Sequence, residues 1–146
     1  MNVSNRSRLA IEALLDLAQR AEPIPLPLIS RRLRLSVSYL EGLVAQLRRN
    51  GLVHSTRGPG GGYRLARAPS AISVHDVLVA LNGLDGRDPQ AQVAPPPGEA
   101  AAAGGRIHSD CFEQAERVMA SWLSSVSLLD LMVQHDRHAG TVAAAA

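Results

Sequence analysis

Hydrophobic positions recur at helical spacing through the first third of the chain. In "NRSRLAIEALLDLAQR", residues 5–20, Leu9, Ala13, Leu14 and Leu17 share one face, which predicts a helix. Three prolines in "AEPIPLPLIS" then interrupt the pattern. "LPLISRRLRL" predicts a short helix from near Pro27, because a first turn tolerates proline's missing N–H. "LSVSYLEGLVAQLRRNG" predicts a third helix. Ser36 is its N-cap, Leu40, Leu43, Val44 and Leu47 are its buried stripe, and Asn50-Gly51 stops it. Two short helices thus flank a tight turn near Leu35, which is a helix-turn-helix layout.

The period then changes. "LVHST" and "GYRLAR" alternate as strands, with Leu52 and Val53 on one arm and Tyr63 and Leu65 on the other. They flank "RGPGGGY" and read as a hairpin, so the layout becomes a winged helix-turn-helix. "SVHDVLVALNG" returns to helical spacing. Ser73 and Asp76 have capping-box spacing, Val77, Leu78 and Leu81 supply the apolar face, and Gly83 ends the run. Residues 84–107 hold three consecutive prolines, an alanine run and Gly-Gly, and read as a flexible linker. From about residue 109 an amphipathic helix carries Phe112, Ala115, Val118, Met119, Trp122 and Leu123 on one side. Ser127 and Asp130 cap a last short helix, "LLDLMVQHD", and residues 139–146 read as a disordered tail. The expected fold is mainly α with a small β-hairpin. Residues 1–83 form a winged helix-turn-helix domain, 84–107 a linker or sensor loop, and 108–138 a dimerisation helix with a short C-terminal helix.

The apolar face of the penultimate helix needs a partner. It either folds back on its own domain or forms a two-fold seam with a second copy. The seam is the expectation here, because a helix-turn-helix spans two half-sites by pairing. Phe112, Ala115, Val118, Met119, Trp122 and Leu123 are then the dimerisation residues.

Charge adds a second asymmetry. Residues 1–70 hold eleven arginines against four carboxylates, and residues 71–146 hold four against nine; lysine is absent. A basic first half suits a nucleic-acid partner, and arginine suits bidentate phosphate and guanine contacts. An ordinary solvated surface would read similarly on charge alone. No apolar run reaches the roughly 18 residues of a membrane span, and the N-terminus lacks the charged-then-apolar order of a secretory signal. Cys111 is the one cysteine, which excludes an intramolecular disulfide framework, and the expected compartment is the cytoplasm.

The glycines invite an enzyme reading, which fails on its details. No Lys-Ser/Thr follows them as in a phosphate-binding loop, and they sit between two short strands, not a strand and a long helix. His54, His75, His108, His135 and His138 lack H-E-x-x-H spacing, and no nucleophile triad stands out. The chain is not expected to be an enzyme. As a wing tip the stretch makes sense: bare backbone turns tightly and approaches DNA, and Arg57 can enter the negative minor groove.

The run "VSYLEGLVAQLRRNGLVHSTRGPGGGYRLARAPSAISVHDVL" resembles the winged-helix regulators of the iron–sulfur cluster regulator (IscR) family, which includes nitric-oxide and iron sensors. The family pattern "LSYLEQLFxxLRxxGLVxSxRGPGGGYxLA" spans its recognition helix and wing. The likeness covers residues 6–83 almost without gaps and resumes weakly over 111–133, the family's dimerisation helix. It implies a sequence-specific DNA-binding transcription regulator, repressor or activator, acting on double-stranded operator DNA as a homodimer. It implies that residues 36–49 lie in the major groove, from Ser36 through Ser38, Tyr39 and Glu41 to Arg48. A Glu at 41 can accept from cytosine and repels phosphate. Arg57, Gly58, Pro59 and Gly60 match the wing that enters the minor groove, and Arg8 falls near the family's backbone contacts. Gly42 departs from the pattern, which often has Gln there.

The larger departure is in the sensor. Cluster-binding members carry three cysteines in a short loop before the long helix, and thiolates are the usual ligands of such clusters. Here Ala100–Ala103 stand about where cysteines are expected, and Cys111 is alone. Three readings stay open: a ligand of an iron–sulfur cluster helped by His108, Asp110 or a partner chain; a redox thiol near the dimer axis; or a small apolar residue on a helix face. The signal is then iron–sulfur, redox or nitric oxide, and the alternative is a cluster-free regulator or a protein-interaction module without an effector.

Overall fold

The computed structural model describes residues 4–82 and 105–144. Helix α1 spans Asn5–Ala18, and Ser4 caps it by accepting from the Ser7 amide at 3.2 Å. Ala10, Ala13, Leu14 and Leu17 are its buried face. Leu9 lies at the edge of that face, only partly buried, and Ala10 takes the core position.

Helix α2, Leu26–Leu33, carries Pro27 in its first turn. It ends on Arg34, which adopts a left-handed conformation (φ 54°). A side chain there costs about 1–2 kcal/mol of steric strain, so the turn has to be held. Two hydrogen bonds hold it: the Leu35 amide donates to the Ser30 carbonyl at 3.0 Å, and the Ser30 hydroxyl donates to the Leu35 carbonyl at 2.6 Å.

Helix α3 is Val37–Arg49, and Ser36 caps it by accepting from the Tyr39 amide at 3.2 Å. The stripe Leu40, Leu43, Val44 and Leu47 is buried as the spacing predicts. Gly51 takes the positive φ (68°) that ends the helix, and the Asn50 side-chain Nδ2 donates across to the Ala80 carbonyl at 3.2 Å.

Strands β1 (Val53–Thr56) and β2 (Gly62–Leu65) pair antiparallel, with Val53 opposite Leu65 and His54 opposite Arg64. The proline-rich segment between α1 and α2 adds a third rung. Ile24 and Tyr63 exchange backbone hydrogen bonds of 2.8 and 2.9 Å. The chain is mostly helical with one two-stranded hairpin, a winged helix-turn-helix as its sequence implies.

Helix α4 (Val74–Asn82) opens with a capping box: the Ser73 hydroxyl accepts from the Asp76 amide, and the Asp76 carboxylate accepts from the Ser73 amide. Helices α5 (Gly105–Ser125) and α6 (Leu128–Ala144) follow. A second capping box, Ser127 with Asp130, opens α6. The Ser127 hydroxyl and amide both donate to the Asp130 carboxylate and hold its pKa below the ordinary carboxylate range.

The two boxes lie side by side. Val74 donates to the Val126 carbonyl and Leu128 to the Ile72 carbonyl, each at 2.9 Å. Leu128 is fully buried in the main core with Leu14, Leu40 and Ile72. The C-terminal helices are therefore knitted into the winged-helix core by backbone and side chain.

Two bounds differ from the sequence reading. Helix α5 begins at Gly105, inside the segment read as linker, and α6 continues to Ala144, through most of the segment read as a tail. The alanines near the C-terminus are permissive for helix, so composition alone could not set the end of α6. The rest of the linker lies outside the described residues.

Candidate nucleic-acid interface

The elements that the sequence points to come together on one side of the core. Burying Leu40, Leu43, Val44 and Leu47 turns the opposite face of α3 outward, and Ser38, Tyr39, Glu41 and Gly42 are exposed on it. Gly42 has open space where a Cβ would stand. Ser36 lies at the start of this face, and its hydroxyl oxygen already accepts from the Tyr39 amide as the cap, while its hydrogen is left to donate. At the far end, Arg48 donates to the Ser55 hydroxyl at 3.4 Å, which leans the guanidinium toward the wing.

The wing tip is residues 57–61. Gly58 and Gly60 have φ of 99° and 74°, conformations that side chains rarely adopt. The other two glycines have a different reason. A Cβ on Gly61 would stand 2.5 Å from the Thr56 carbonyl oxygen, and one on Gly62 would stand 2.5 Å from that of Ile24. Half of the glycine run therefore serves the fold, by letting the hairpin close on itself and on the segment before α2. Tyr63 packs its ring partly buried against the main core.

Arg57 is exposed at the base of this tip, with no hydrogen-bond or ion-pair partner among the described residues. Arg8 on α1 is also exposed. Arg64, opposite His54 on the hairpin, is exposed too. Arg67 donates to the Ala71 carbonyl at 3.2 Å and lies 3.8 Å from the Asp76 carboxylate at the start of α4.

Sequence reasoning missed Arg6 and Gln46. The Arg6 guanidinium donates to the Gln46 amide oxygen at 2.9 Å, tying the start of α1 to α3 beside the exposed face. Their separation of forty residues left no signal in spacing.

Helix α5 has another character. Val118 and Trp122 are each 64% exposed and Met119 37%. With Cys111, Gln114 and Ala115 they line a shallow apolar groove along α5. Leu123 does not belong to it. At 7% exposure it is buried against Val74 and Leu78 of α4, with Ile11, Val126 and Leu131 around them. The dimerisation set read from the sequence is thus split: Leu123 packs inside its own chain, and Ala115, Val118, Met119 and Trp122 are left outward. Phe112 and His108 lie outside the described side chains.

Each chain supplies one thiol, Cys111, which stands exposed on the apolar groove, whereas thiolates are the usual ligands of an iron–sulfur cluster. Among the described residues no group of three or more His, Cys, Asp or Glu side chains could hold a metal ion. No described helix is long and apolar enough to cross a membrane.

Comparison with known proteins agrees with this geometry. Residues 3–134 match the family model Rrf2, described as an iron-dependent transcriptional regulator. The HTH-type transcriptional regulator IscR of Yersinia pestis is 37% identical over 141 residues, covering 93% of this chain and 82% of that protein. The HTH-type transcriptional regulator ORF2 of Azotobacter vinelandii is 51% identical over 84 residues, so the match spans about half of that relative, 51% of its length. Among solved structures, T. potens IscR superposes with a TM-score of 0.71 at 31% identity, covering 92% of this chain and 88% of that one. The relatives are transcription regulators, not enzymes.

Proposed function

The chain belongs to the Rrf2 family of transcriptional regulators, and from that membership we propose that it works in the cytoplasm as a homodimer reading a two-fold-related operator. Each protomer lays the outer face of α3 in a major groove, with Ser38, Tyr39 and Glu41 against base edges and Arg48 toward phosphate. The wing carries Arg57 into the adjacent minor groove, with Gly58, Pro59 and Gly60 close to the backbone, and Arg8 adds a backbone contact. The second copy covers the groove of α5 formed by Ala115, Val118, Met119 and Trp122.

One observation carries this reading: Arg57, a guanidinium with no partner among the described residues, stands on a glycine-built tip beside an exposed, capped helix face. A charge displayed in that way is free to meet a polyanion, and the narrow minor groove concentrates negative potential for it.

The sensing step is cluster-free in this proposal. The family description speaks of iron, and a single exposed thiol per chain does not make a cluster site. One preparation tests both parts. Anaerobically purified protein is titrated onto fragments selected from a random DNA pool at several salt concentrations, and its visible spectrum and iron content are measured. Affinity is expected to fall steeply with salt, as released counterions require, and absorbance is expected to stop at the aromatic band. A flat salt profile overturns the DNA-binding reading, and stoichiometric iron with visible absorbance overturns the cluster-free one.

A further inference from the structure

Arg34 sits in a turn that suits a different residue. Among the described residues it is the one side chain with a positive φ, 54°; the other three such positions are Gly51, Gly58 and Gly60. That conformation favours Gly or Asn, and an arginine holds it only under strain. The fold shows no return for the strain. The Arg34 side chain is exposed and has no hydrogen-bond or ion-pair partner among the described residues. The carbonyl end of α2 attracts cations, but Arg31 and Arg32 already stand in its last turn. Strain kept without a local gain points to a use outside the fold.

The position of Arg34 narrows that use. It lies two residues before Ser36, the cap of α3. Its Cα is within about 7.6 Å of that of Ser36, because consecutive Cα atoms are about 3.8 Å apart. The exposed face of α3 begins at this cap. With that face in a major groove about 12 Å wide, a phosphate-lined wall passes within the span of an arginine at the turn. Arg32 cannot serve there, because Asp16 holds its guanidinium at 2.7 Å. Arg34 is the cation nearest in sequence to the cap, and it is uncommitted.

We propose that Arg34 clamps a backbone phosphate of the operator at the edge of the groove that α3 enters. The guanidinium presents paired N–H donors that match two phosphate oxygens. Such a contact carries no sequence information; it sets the orientation and depth of α3, whose outer face reads the bases. Gly or Asn would relax the turn and leave the phosphate without its cation. The proposal rests on the DNA-binding reading above.

The test uses the full chain and three single variants. Each is titrated onto a duplex selected by the wild type and onto an unrelated duplex, across a range of salt. Arg34→Asn supplies a residue at ease with this φ and removes the cation. It should weaken binding by about tenfold or more at moderate salt and make the salt slope shallower by about two for the dimer, one phosphate contact per protomer. The loss should be similar on both duplexes, since both present phosphates. Arg34→Lys should retain most of the slope. Arg117→Asn removes the same charge from α5 and should leave the slope as in the wild type. The melting temperature of Arg34→Asn should equal or exceed that of the wild type. The clamp is overturned by an unchanged slope in Arg34→Asn, by an equal change in Arg117→Asn, by a loss confined to the selected duplex, or by a lower melting temperature, which would assign Arg34 to the fold. A flat profile in the wild type overturns the DNA-binding reading itself; a steep one that Arg34→Asn leaves unaltered overturns the clamp alone.

Discussion

Helix α3 and the wing hold charged and polar side chains out in water: Glu41, Arg48, Arg57 and Arg64. Helix α5 instead holds Val118, Met119 and Trp122 out. Both faces are incomplete, in opposite ways. Exposed guanidinium groups are well solvated and wait at little cost for a polyanion. Exposed apolar surface is unfavourable in water by roughly 25 cal/mol per Å², so it drives association continuously. The proposed DNA face can therefore bind and release with conditions, whereas the α5 face favours a standing partner. In the proposed reading that partner is a second copy, paired both on and off DNA.

The boundary between an inward and an outward residue on α5 is the first place to break this comparison. Leu123→Ala should destabilise the fold by about 2–5 kcal/mol, because it opens a cavity against Val74 and Leu78; chemical denaturation measures it. Unchanged stability would mean that Leu123 belongs to the outward face after all. Its neighbour should behave in the other way. Trp122→Glu should leave the protomer folded and raise the dimer dissociation constant about a hundredfold or more, as loss of a buried aromatic anchor does. Light scattering across a dilution series reads this, and a dimer as tight as before would remove α5 from the seam.

On the DNA side the effects are smaller per residue and leave the dimer intact. Arg57→Ala should weaken operator binding by more than about tenfold at moderate salt, with melting temperature and dimer mass unchanged. Equal affinity would sink the wing assignment. The mildest change sharpens the contrast. Gly42 is exposed in mid-helix with room for a side chain, so Gly42→Ala should stabilise the protein by about 0.5–1 kcal/mol. A thermal melt showing no gain would point to a backbone need at Gly42 that the open space does not reveal.

Much of the fold was legible because the signals are local. Ser36, Ser73 with Asp76, and Ser127 with Asp130 act as caps within three residues of themselves. The stripe from Leu40 to Leu47 repeats within a single helix, and Asn50-Gly51 closes it. The candidate site was legible to the same degree, as the exposed remainder of α3 and the wing. What the sequence did not signal was pairing at a distance. Arg6 meets Gln46 forty residues on, and nothing in "AEPIPLP" announced a strand bridge with Tyr63.

The α5 face and the glycine run show where the division falls. The sequence by itself determined that residues 115–123 form an amphipathic helix and that four glycines make a turn. Only the tertiary structure decided that Leu123 turns in while Trp122 turns out. Adjacent residues differ by about 100° around a helix, and which side is inside depends on where α4 lies. Likewise, only packing showed that Gly61 and Gly62 are required by the carbonyls of Thr56 and Ile24, whereas Gly58 and Gly60 are required by their own dihedral angles. Backbone preference is written in each residue, but the space around a residue is set by chain that arrives from elsewhere.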